Sequence, residues 1–268
     1  MSEALSAGAA GPGGRALAAP VINILRRGDL RNAMIAGWRD FRAAPRYGLF
    51  FGLLYAAGGW AITLLATASG FYYLAYPLAA GFAIVAPFVA AGLYEVSRRL
   101  EAGLGLAWSD VFGAIRGAGK RDLGWMALVT GFAFFIWMDI AFFLYAMFFG
   151  VRAPEPRAML VDLATTAHGL TFVLVGNLVG ACIAFFVFSI TVVSFPMLLD
   201  REVDFVTAMI TSTRVVRGNL GTMILWALTI AALVLFSLAS GLLALIVVLP
   251  LLGHATWHVY RRAVQPSR

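Results

Sequence analysis

The chain has 268 residues, of which 62% are apolar and 12% charged. A soluble domain carries roughly twice that charged share, so an ordinary water-soluble globule is excluded. The net charge of +7 lies in segments between apolar stretches, where it favours anionic headgroups and not nucleic acid, and the single cysteine, Cys182, excludes an internal disulfide.

Residues 1–28 are rich in Ala and Gly, with Pro12 and Pro20, and read as a disordered tail. They lack the charged segment and apolar run of a signal peptide. Residues 29–263 read as an all-α membrane domain, and 264–268 as a short tail. A hydrocarbon core of about 30 Å needs roughly 20 apolar helical residues. Gly48–Thr67, Phe71–Tyr94, Leu123–Phe149 and Leu170–Leu199 each supply one span. Thr222–Val259 is too long for one span and is split into two at Ser240-Gly241. Six transmembrane helices follow, arranged as three hairpins.

Of the 20 Lys and Arg residues, 18 fall before the first span, after the sixth, or in the second and fourth connections. Only Arg152 and Arg157 lie on the other side. Cationic loops resist translocation, so both termini are expected in the cytoplasm, with the protein in a bacterial inner membrane. Trp125, Trp226, Trp257 and Tyr260 fall near cytoplasmic ends, and Trp60, Tyr72, Tyr73 and Tyr145 toward outer ends, as interfacial belts would.

Each hairpin is preceded by an amphipathic stripe. Leu30, Met34, Trp38 and Phe41 form the first; Trp108, Val111, Phe112 and Ile115 the second; Phe205, Val206, Met209, Ile210 and Thr213 the third. Asp29, Asp110 and Asp204 stand where caps would begin these helices. Apolar stripes beside basic residues suit helices lying in the membrane plane. The pattern fits three divergent copies of one unit, and equally an even-span protein with short loops.

Asp139 is the only ionisable residue deep in a span. A central Asp costs about 2.5–3.5 kcal/mol on insertion scales, so it is expected to face protein or water. It fits a proton or cation site, or a hydrogen-bonded packing residue with Asn177 as its partner. Gly176 and Gly180 flank Asn177 at small-xxx-small spacing, and Gly48 and Gly52 form a second such pair. His254 and His258 share a helix face, which suits either a metal or haem ligand pair or an interfacial anchor beside Trp257, Tyr260, Arg261 and Arg262. Glu95 lies three and four residues before Arg98 and Arg99, as a surface helix pair or a cytoplasmic gate would. Pro77, Pro87, Pro196 and Pro250 predict kinks. No phosphate-binding loop, nucleophile elbow or paired carboxylate site is present, so no cofactor or metal is assigned.

Three runs resemble a bacterial family of predicted integral membrane proteins of unknown function. They are Pro77 to Phe88 continuing from Gly92 to Arg99, Asp200 to Met209, and Val248 to His258. The resemblance covers about residues 30–263. Members are sometimes labelled cytochrome c oxidase subunits, but three histidines and six spans do not supply a haem–copper catalytic subunit. Thr213 to Asn219 more weakly resembles other bacterial membrane domains with cytoplasmic amphipathic helices.

Three readings remain. A non-enzymatic scaffold or accessory subunit would bind lipid and other integral membrane proteins, or a second copy of itself, with a possible respiratory-chain association. A small-solute, ion or proton transporter would centre on Asp139. An intramembrane enzyme has least support, since no catalytic motif is present.

Overall fold

The computed structural model describes residues 20–71, 77–78, 86, 89–117, 122–151 and 155–265. Within them the protein is all-helical. The elements are α1 (Arg27–Ala43), α2 (Pro45–Ala68), α3 (Ala91–Glu101), α4 (Trp108–Gly117), α5 (Asp122–Phe149) and α6 (Pro156–Thr165). They continue as α7 (Ala167–Thr191), α8 (Ser194–Asp200), α9 (Phe205–Gly218), α10 (Leu220–Ala239) and α11 (Leu245–Ala263).

Four helical stretches are long and apolar enough to cross a bilayer: Pro45–Ala68, Asp122–Phe149, Ala167–Asp200 and Leu220–Ala239. They correspond to the first, third, fourth and fifth expected spans. Most of the second expected span lies outside the described residues. The sixth, α11, is not among the four, because its second half carries His254, Trp257, His258, Arg261 and Arg262.

The expected amphipathic helices α1, α4 and α9 each lead into a long apolar helix: α2, α5 and α10. Asp204 caps α9 by accepting from the Thr207 amide at 2.9 Å. This contact, with the Thr207 hydroxyl, holds its carboxyl below the ordinary value. Asp29 and Asp110 sit instead within the first turns of α1 and α4.

These helices have two working faces. α1 buries Leu30, Ala33, Gly37, Asp40 and Phe41 while exposing Ile35 and Trp38. α9 buries Ala208, Thr211, Ser212, Val215 and Val216 while exposing Val206 and Ile210. Protein packing therefore takes one face and leaves apolar residues on another.

The core centres on α11. Fourteen of its 19 residues are buried, and it lies against α1, α2, α3, α8 and α10. Pro250 inside α11 has no N–H to give to the Ile246 carbonyl. Gly52 of α2 sits on that carbonyl, so close that an added Cβ would overlap it. The Gly48/Gly52 pair thus brings α2 onto the proline turn of α11. Gly37 makes the same kind of approach to Ala255, where an added Cβ would lie 2.6 Å from the backbone nitrogen. Of the other expected pair, Gly180 faces the Trp137 ring, but Gly176 has no neighbour within 4 Å of an added Cβ. Pro196 has its kink: α7 ends at Thr191, and Val193 N donates to Ser212 Oγ at 3.2 Å before α8 resumes.

Two expectations change here. Residues 20–26 were expected in a disordered tail, but they run along the far end of the chain. Ile22 pairs with Val264, Asn23 N donates to Ala263 O at 2.9 Å, and Leu25 N donates to Asn219 Oδ1 at 2.6 Å. Trp226, Trp257 and Tyr260 were expected in an interfacial belt, but all three are buried in the core. Their helix ends are covered by neighbouring helices and do not meet headgroups.

Candidate functional site

The polar residues of α11 are held in a buried network with α1 and α3. Asp40 of α1, Ser97 of α3, and His254 and His258 of α11 are all buried. His258 Nε2 donates to Asp40 Oδ2 at 2.7 Å, and Ser97 Oγ donates to the same oxygen at 2.9 Å. Ser97 Oγ lies 2.8 Å from His254 Nδ1. Because the Ser97 proton is directed to Asp40, His254 must donate from Nδ1, which leaves its Nε2 as a bare acceptor. That nitrogen is buried without a hydrogen-bond partner.

Burial pushes the Asp40 carboxyl up, but the hydrogen bond and electrostatic pull of His258, with the Ser97 hydroxyl, hold it below its ordinary value. The carboxylate is the hub of the cluster, drawing donors from two helices onto one oxygen. Ser, His and Asp together suggest nucleophilic chemistry, yet Ser97 is fully buried and gives its proton to a carboxylate. The geometry presents no activated hydroxyl to a substrate.

A second layer lies beside it. Glu95, expected as a surface pair, is only 1% exposed. Arg98 grips it with both Nε and Nη2, at 2.7 and 2.8 Å, and Arg99 bridges onward to Asp110 at 2.9 Å. The i+3 and i+4 spacing was right, but α3 buries the carboxylate, so the arginine fork has to satisfy it. Tyr260 donates to Asp200 at 2.6 Å, Arg261 reaches both Asp200 and Glu101, and Trp257 Nε1 donates to Glu101 at 2.9 Å.

His254 and His258 are therefore not headgroup anchors; they are enclosed by α1 and α3. Among the described residues, no group of three or more His, Cys, Asp or Glu is arranged to hold a metal ion. Sequence reasoning missed Asp40, Ser97, Glu101 and Asp200. Asp40 carried a signal, for it follows Leu30, Ala33 and Gly37 at helical steps on the buried side of α1.

Asp139 and Asn177 are not brought together. Asp139 is exposed on α5, beside the exposed Phe135, Ile136, Phe142 and Phe143. The Asn177 amide donates to Val173 O at 2.8 Å within its own helix. Asn177 instead lines a cavity of about 620 Å³ between α2, α7, α10 and α11, whose wall is mainly apolar. Trp137 closes part of that wall and donates to Pro77 O at 2.8 Å. Asp139, two residues further along α5, is not part of the lining.

Residues 75–200, just under half of the chain, match a family described as predicted integral membrane protein (DUF2189), a family of unknown function. No curated protein and no solved structure matches the chain. Over that stretch the chain is similar to this family of integral membrane proteins, and it carries several membrane-length apolar helices.

Proposed function

We propose that this protein is a non-enzymatic scaffold or accessory subunit of a bacterial inner membrane, binding another membrane protein through the outward face of α5. The observation that carries this reading is the exposure of Asp139 among exposed phenylalanines. It stands between three and four residues past the midpoint of a 28-residue helix, about 5 Å from its centre. That depth is inside the hydrocarbon core. Ionisable residues at such depth almost always face the interior of a helix bundle or water. A lipid-facing Asp139 is accounted for when a helix of another chain, bearing a polar or cationic donor, covers it.

Burial supports the same reading. Only 22% of the most apolar stretch of α5, and 17% of that of α10, is covered by the chain's own helices. The residues with catalytic chemistry, in contrast, are sealed. The transporter alternative needs Asp139 on a pathway, and its absence from the cavity lining weighs against it.

The topology belongs to this proposal. Six spans place both termini in the cytoplasm, on the side of the 18 clustered cations. α11 completes the last hairpin because α1, α3 and α8 enclose its polar half. Affinity purification of the full chain in mild detergent, with a photo-crosslinker at Phe135 or Phe143, tests the partner. A single crosslinked membrane protein, lost in Asp139→Leu, is expected. Crosslinks to lipid alone would overturn the scaffold reading.

A further inference from the structure

The cavity walled by α2, α7, α10 and α11 runs lengthwise along α7 and α10 as a slot. Its lining runs from Asn177 to Thr191 along α7 and from Ile224 to Leu238 along α10. Fourteen residues of helix correspond to about 21 Å in each case. One leaflet of the hydrocarbon core is about 15 Å deep, so a whole lipid tail fits along the slot. The volume of about 620 Å³ lies within the range of ligand sites. The wall is apolar, and an apolar cavity stays dry and accepts apolar guests. Leu228 and Leu235 line it while 61% and 55% exposed, so the slot opens sideways toward the bilayer.

Among the described residues, no charged residue lines either end, but the chain leading into the two ends differs in charge. The end at Asn177 and Leu238 has Thr63 and Ser237 nearby in the lining and no ionisable carboxylate or amine. The end at Ile224 lies just inside α10, seven residues after Arg217 and ten after Arg214, both exposed at the end of α9. Neither arginine lines the cavity, but both lie on the helix that leads into that end, so a phosphate head emerging there would have basic side chains close along the chain.

We propose that the slot holds one acyl chain of an anionic phospholipid of the cytoplasmic leaflet, with its headgroup beside Arg214 and Arg217. Which leaflet supplies it rests on the orientation proposed above; occupancy of the slot does not. α7 and α10 stand apart along this length, and the guest chain fills the gap where helix packing does not.

Native mass spectrometry of the full chain, stripped of lipid in detergent and titrated with phosphatidylglycerol or phosphatidylcholine, tests this. Wild type is expected to retain one phosphatidylglycerol in preference to phosphatidylcholine. Ala181 and Ala231 line the slot and are exposed, so Ala181→Phe with Ala231→Phe fills it from the open side. That variant is expected to lose at least tenfold in occupancy at equal lipid. Arg214→Ala with Arg217→Ala is expected to keep a bound lipid but lose the headgroup preference. If the double phenylalanine variant melts below wild type, Ala231→Phe alone is read in its place. Unchanged lipid retention in the filled variant that folds, or no headgroup preference in wild type, would overturn the proposal. Reporter fusions that place the C-terminus outside, with occupancy still lost on filling, would refute the orientation and leave the slot standing.

Discussion

α5 and α11 were both expected to be spans, and they meet opposite surroundings. α11 has 14 of 19 residues buried, whereas α5 has six of 28. The difference follows from composition. Beyond Asp122 in its first turn, α5 is apolar all round apart from Thr130 and Asp139, so lipid can solvate nearly every side chain. α11 carries two histidines, a threonine and two arginines in its second half, and these need partners. The polar helix recruits α1, α3 and α8, and becomes the core. In an apolar chain, polarity in a helix marks the interior, the reverse of a water-soluble fold.

The largest expected effect breaks the α11 side. Leaving a buried donor unpaired costs about 1–3 kcal/mol, and Asp40 serves two such donors. Asp40→Ala strands His258 and Ser97 and should lower the melting temperature in detergent more than any single change on α5. His258→Phe in the Asp40→Ala background should cost less than in wild type, which a double-mutant cycle would measure. Strict additivity would mean the 2.7 Å contact contributes nothing.

Next come the backbone approaches. Overpacking typically costs about 1–3 kcal/mol, and more where backbone must move. Gly52→Leu drives a side chain into the Ile246 carbonyl, whereas Gly176→Leu meets open space. Thermal melts should separate the two variants clearly, although both glycines stand in small-xxx-small pairs. Equal melts would mean that α2 does not lie on α11 as described.

Acid sharpens the comparison by a smaller amount. The Asp40 carboxyl is held below its unfolded value of 3.8. Its contribution is therefore fully present above that value and is lost as pH falls through the folded pKa. Melting temperature followed from pH 7 to 3 should fall less steeply below about pH 4 in Asp40→Asn than in wild type. Parallel curves would remove Asp40 from the acid response.

Much of the membrane layer was legible in the sequence, because runs of 20 apolar residues leave few alternatives. The Gly48/Gly52 approach and the Pro196 kink were legible for the same local reason. The candidate site was not. Asp40 and His258 are 218 residues apart, and one sequence offers nothing to pair them. Glu95 with Arg98 has the same spacing on a wet surface or in a core. Trp257 and Tyr260 stand at a helix end, where an interfacial belt and a covered core look alike until neighbours are placed.

The smallest effect on stability is expected at Asp139, and it bears most on function. Its side chain makes no hydrogen bond to Asn177, and its neighbours on α5 are exposed phenylalanines. Asp139→Asn and Asp139→Leu should therefore both melt within about 0.5 kcal/mol of wild type, as changes away from packed contacts do. A packing role between α5 and α7 would instead make the leucine variant fall. The proposed partner gives the two variants different fates. Asn keeps the size and the hydrogen-bonding oxygen, so it should retain part of the crosslinking at Phe135. Leu offers a partner donor nothing to bond, and a buried donor left unpaired costs about 1–3 kcal/mol. Crosslinking should then drop by roughly tenfold while the fold survives, since 1.4 kcal/mol is a factor of ten in binding. A leucine variant that melts like wild type and crosslinks like wild type would leave Asp139 without a covering helix, and the scaffold reading would go with it.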